Sequence, residues 1–90
     1  MPKIHVKHIL VSQKFEAEDL LKKIKSGEDF ESLARKFSSC PSSESGGDLG
    51  EVDSRRLDED FSEAALKLKI DECSGIVRTR FGYHLIKKVK

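Results

Sequence analysis

The chain has 90 residues, which is enough for one domain with a single core and places the whole of 1–90 in it. Its 17 basic and 16 acidic residues nearly cancel, whereas a dedicated nucleic-acid binder would carry a strong basic excess. No apolar run approaches the ~18 residues of a membrane span, and the opening Met1-Pro2-Lys3-Ile4-His5 contains no hydrophobic signal segment.

The first strand is predicted over Lys3–Val11, where Ile4, Val6, His8 and Leu10 alternate onto one face. After the turn residues Ser12-Gln13-Lys14, Ala17, Leu20, Leu21 and Ile24 recur at helical spacing. Ser26-Gly27 ends that helix, glycine supplying the left-handed residue that helix ends favour. Asp29 is the expected N-cap of a second helix, with Phe30, Leu33, Ala34 and Phe37 as its apolar stripe. From Ser38 to Gly50, five serines, three glycines and a proline break the pattern into a loop. A loop of that length in a small domain is more often functional than idle.

A short strand is expected at Leu49–Val52. Asp58, Glu59 and Asp60 place negative charge at the start of a third helix, whose stripe is Phe61, Ala64, Ala65 and Leu68. Gly75–Thr79 reads as another short strand, and the turn Arg80-Phe81-Gly82 leads into the last. On that final strand Tyr83, Leu85 and Val89 face one way, and His84, Ile86 and Lys88 the other. The order β-α-α-β-α-β-β reads as α+β with a mostly antiparallel sheet.

Two strands from opposite ends of the chain thus each carry one inward-looking histidine. Cys40 with His8 and His84 is the sharpest constellation, and its residue types leave three readings open. A thiol near two imidazoles could be a nucleophile with its base, a metal site, or a polar network that performs neither role. His5 and Cys73 raise the candidate ligands to five, but no pair has CxxC or HxxxH spacing. Two cysteines are not a disulfide framework, so free thiols are expected. Glu44–Glu63 holds eight acidic residues against Arg55 and Arg56, while Arg78–Lys90 holds five basic residues and no acid. These are read as solvated faces of opposite sign.

His8-Ile9-Leu10-Val11, Cys40, Gly46-Gly47-Asp48-Leu49-Gly50, Phe61 and Phe81-Gly82-Tyr83-His84-Leu85-Ile86 together resemble the parvulin family of peptidyl-prolyl cis/trans isomerases. Each block is short, but their order and spacing match over about Ile4 to Lys88. The resemblance implies a half-barrel of four antiparallel strands surrounded by helices, with the histidine-bearing strands central and adjacent. It implies that His8 and His84 are the paired histidines beneath the substrate, and that Thr79 is the hydroxyl bonded to that pair. Cys40 falls at the family's Cys-or-Asp position, completing the implied catalytic set. Leu49 and Phe61 match the pocket for the substrate proline ring, Leu57 replaces the usual methionine, and Phe81 adds an apolar wall. No cofactor and no metal are implied.

The implied activity is rotation about X-Pro bonds in unfolded or flexible polypeptide, by a minimal, monomeric, single-domain isomerase. The phospho-specific branch of the family carries an extended basic loop after the first strand. Here only Ser12-Gln13-Lys14-Phe15 stands there, so phosphate preference is not expected unless Arg55, Arg56 and Arg80 rim the pocket. The competing reading is a polypeptide-binding chaperone module with little isomerase activity. Neither nucleic acid nor membrane is expected as a partner. A cytoplasmic location is expected for the chain alone, and an extracytoplasmic one if the domain belongs to a longer foldase.

Overall fold

A computed structural model describes residues 3–90, leaving Met1 and Pro2 of the predicted strand entry outside the described residues. The elements are β1 (Lys3–Val11), α1 (Lys14–Lys25), α2 (Phe30–Phe37), β2 (Asp48–Asp53), α3 (Glu59–Leu66), β3 (Val77–Thr79) and β4 (Gly82–Lys88). Two 3₁₀ turns, Pro41–Ser45 and Ser54–Arg56, flank β2. The loop expected from Ser38 to Gly50 therefore contains an ordered turn. Its end belongs to β2, which is one residue longer at each side than the predicted Leu49–Val52.

The caps follow local chemistry. Gly27, at φ 101°, closes α1 with Gly27 N–H donating to Ile24 O and Glu28 N–H to Lys23 O, the paired bonds of a Schellman end. Ser32 N–H donates to Asp29 Oδ2 at 3.1 Å and caps α2 as predicted. Asp58 caps α3 by accepting from Asp60 N–H.

The four strands form one antiparallel sheet in the order β2-β1-β4-β3, so the strands from the two chain ends lie side by side at its centre. Alternation then sorts their side chains. Ile9, Val11 and Leu85 pack with Ala17 and Leu20 of α1 and Phe30, Leu33 and Ala34 of α2. Ile4, Val6 and Ile86 on the opposite face pack with Phe61 and Ala65 of α3. Two helices cover one face of the sheet and the third covers part of the other. Of the α2 stripe, Phe37 departs from expectation: it is 45% exposed, with Lys23 Nζ 5.0 Å above its ring. Leu68 lies beyond the end of α3 yet still packs against the second cluster.

Candidate active site

The register of the central pair assembles the site. His8 stands opposite Ile86 and Leu10 opposite His84, which makes His8 and His84 diagonal neighbours on one face. A slip of one residue would send the two rings to opposite faces. In the observed register both rings are buried, and His8 Nδ1 meets His84 Nδ1 at 3.1 Å. The rings stack with centroids 5.3 Å apart and planes 19° apart. Phe61 reaches across from α3 and sets its ring edge-on to both, at 5.5 Å from His8 and 5.1 Å from His84.

The outer nitrogens are also occupied. His84 Nε2 lies 2.8 Å from Thr79 Oγ1, which also accepts Phe81 N–H at 3.1 Å. His8 Nε2 lies 3.2 Å from Ser42 Oγ, in the 3₁₀ turn that follows Cys40. Two Nδ1 atoms in contact share a single proton, so one ring donates and the other accepts. Burial favours the neutral form of both imidazoles. Burial, and then the neighbouring His84, lower the His8 pKa from 6.5 to about 4. Burial likewise lowers that of His84, against an opposing pull from the Asp58 carboxylate.

A cleft of about 360 Å³ opens over the pair. The sheet contributes His8, Leu10 and His84, β2 contributes Leu49, and the entry to α3 contributes Leu57, Asp58 and Phe61. Ser39, Cys40 and Pro41 line it from the loop, and Phe81 from the β3–β4 turn. Every predicted site residue except Thr79 therefore lines one cleft, and Thr79 joins it through His84. Leu57 is half-buried and Phe81 is 61% exposed, with Arg80 stacked on it at 5.0 Å.

The arrangement also shows what the residue types alone leave unassigned. Among the described residues the Cys40 thiol makes no hydrogen bond to either imidazole; the hydroxyl that meets His8 is Ser42. In the sequence Ser42 reads only as loop composition, and Asp58 only as helix-terminal charge. His5 lies elsewhere, bonded to Asp48 Oδ1 at 2.6 Å, and Cys73 sits beside the α1–α2 cluster with its thiol pKa raised by burial. Among the described residues no three His, Cys, Asp or Glu side chains converge.

Comparison with known proteins adds an independent line. A family model described as a rotamase, the PPIC-type PPIASE domain, matches residues 7–90. The foldase protein PrsA of Bacillus subtilis is 49% identical over 89 residues, covering 98% of this chain and 30% of that protein. The crystal structure of the peptidylprolyl isomerase PrsA from Bacillus anthracis superposes with a TM-score of 0.95 at 44% identity, over 97% of this chain and 41% of that one. NmPin, the parvulin of Nitrosopumilus maritimus, matches 100% of this chain and 98% of its own at 38% identity and a TM-score of 0.87. The chain thus spans about a third of the length of the curated relatives it matches, and nearly the whole of a parvulin of its own size.

Proposed function

The chain belongs to the PPIC-type peptidyl-prolyl isomerase family, and from that premise we propose that it accelerates rotation about X-Pro bonds in unfolded or flexible protein segments. The observation that carries the proposal is an apolar cleft set over a buried, hydrogen-bonded histidine pair. An X-Pro bond turns over tens to hundreds of seconds because rotation breaks amide resonance. Nothing covalent is required. A cleft that clamps the proline ring while its polar groups favour the twisted amide lowers the barrier by differential binding.

In this reading Leu49, Leu57, Phe61 and Phe81 hold the ring. His8, His84 and Thr79 orient the groups beneath it, and Cys40 is a polar neighbour to the substrate carbonyl. Residues 1–90 act as one isomerase domain, monomeric and needing no cofactor or metal. The cytoplasm is our proposed site for the chain alone. As part of a longer foldase the same domain would work outside it.

The charge around the cleft argues against a phosphorylated residue before proline. Asp58 lines the cleft, Arg80 Nε lies 3.9 Å from it, and Arg55 is bonded to Asp53. A dianion would meet a carboxylate there before it met a cluster of free guanidinium groups. NMR exchange spectroscopy on X-Pro peptides, with X as Leu, Glu and phosphoserine, tests both points. Faster cis/trans exchange for Leu-Pro than for phosphoserine-Pro is expected. Line broadening from binding, without acceleration at any X, would establish a peptide-holding module instead.

A further inference from the structure

We propose that a second polypeptide subsite lies on the outer face of α3, adjoining the cleft, and takes an apolar client residue flanked by lysine or arginine. The choice of occupant rests on the isomerase reading. Leu57 is a wall of two cavities. On one side it lines the cleft over the histidines, and on the other a groove of about 310 Å³ with Arg55, Glu59, Ser62, Glu63 and Leu66. Glu59, Ser62, Glu63 and Leu66 recur at i, i+3, i+4 and i+7, so they share one face of α3. It is the face opposite the one that buries Phe61 and Ala65 against the sheet. Leu66 thus falls outside the buried stripe and is 44% exposed. A single exposed leucine is ordinary. This one shares a groove with half-buried Leu57, which is itself a wall of the cleft.

The charge of the groove decides what can lie in it. The Arg55 guanidinium is already held by Asp53, through Nε at 3.3 Å and Nη2 at 3.1 Å. Glu59 and Glu63 remain, with Asp58 on the cleft side of Leu57. Negative charge at Asp58 and Glu59 suits the start of a helix, but Glu63 lies a turn further on, where that effect has faded. Its partner Lys67, with Nζ at 3.2 Å, is as exposed as Glu63 itself. Exposed pairs of this kind hold weakly, so a client cation can take the place of Lys67. Apolar walls with acidic neighbours suit a leucine-like side chain between basic residues, and they disfavour an acidic segment. One side chain separates groove from cleft. An extended segment covers such a step in about two or three residues, at ~3.3 Å each. The subsite therefore reads the surroundings of the proline, while the cleft reads its ring.

Amide chemical-shift titration with three kinds of Leu-Pro peptide tests the subsite. One kind is flanked by alanines, one carries Lys-Leu-Lys a few residues from the proline, and one carries Glu-Leu-Glu there, each flank being placed before or after the proline. The better-placed Lys-Leu-Lys peptide is expected to bind roughly 3- to 10-fold more tightly than the alanine peptide and to shift the amides of Ser62, Glu63 and Leu66. Glu-Leu-Glu should bind no better than alanine. Glu63→Lys and Leu66→Ser should each bring the ratio of Lys-Leu-Lys to alanine affinity down toward one, with thermal unfolding to verify that both variants are folded. A preference that survives in both variants would belong to Asp58 in the cleft and would overturn the proposal. Equal affinities in the wild type, or shifts confined to the cleft, would overturn it too. Exchange spectroscopy on the same peptides reads catalysis separately. Tighter Lys-Leu-Lys binding at these residues with no acceleration of any peptide would remove the isomerase reading and leave the subsite standing.

Discussion

Burial favours the neutral forms of His8 and His84. A charged pair would repel across the 3.1 Å contact and would be costly in the apolar setting that Phe61 creates. The same burial gives the fold a pH signature. In the unfolded chain each histidine takes up a proton near pH 6.5, whereas folded His8 resists until about 4. Between these values the unfolded state binds more protons, so stability falls as pH drops from about 6.5 to about 4. For His8 alone the loss is on the order of 3 kcal/mol, and His84 adds in the same direction. Hydrogen bonds hold Asp29 and Asp53 below 3.8, and at Asp48 they outweigh the opposing effect of burial, so these three lose their contribution only at lower pH. Urea denaturation at pH 7.5, 5.5 and 4.5 should show the decline, and His8→Asn should flatten it. An equally steep decline in His8→Asn would show that the histidine is not its source.

At the scale of elements, the site depends on how closely the loop after α2 approaches β1. Gly47 sits at φ 84°, and a Cβ there would lie 2.3 Å from His8 O. Gly27, at φ 101°, has nothing within 4 Å of where a Cβ would stand, so the two glycines separate backbone handedness from close approach. Gly27→Ala is expected to cost about 1–2 kcal/mol and to leave X-Pro exchange intact. Gly47→Ala should cost clearly more and lower the exchange rate, because the turn must move away from His8. Thermal unfolding and exchange measurements on both variants check this; equal stability losses would contradict it.

The elements themselves are legible in the sequence because each buries a periodic stripe: β1 matches its predicted Lys3–Val11, and Asp29 caps α2 as expected. Periodicity fails at Phe37, since it identifies the face of a helix and not how far the partner beneath it extends. The family resemblance locates Cys40, Thr79 and both histidines. It does not reveal that Ser42 meets His8, because that contact exists only once a serine-rich turn folds back over a strand more than thirty residues away. Asp58 is similarly legible as the cap of α3, while its position on the cleft depends on tertiary structure.

For the whole molecule, the two faces of one sheet divide the labour. The face under α1 and α2 is closed by packing, and on the other α3 covers only part, leaving the cleft over the histidines. The central claim is that this cleft works by clamping and orienting an amide, without a bond to Cys40. The rate of cis/trans exchange in a Leu-Pro peptide, measured for wild type, Cys40→Asp and Phe61→Leu, tests it most directly, with thermal unfolding to verify that both variants are folded. Cys40→Asp should stay within about tenfold of wild type, in keeping with a carboxylate serving as a polar neighbour. Phe61→Leu should lose roughly tenfold or more as the ring pocket loosens. Abolished exchange in Cys40→Asp, with Phe61→Leu unaffected, would contradict the claim and point to chemistry at the thiol.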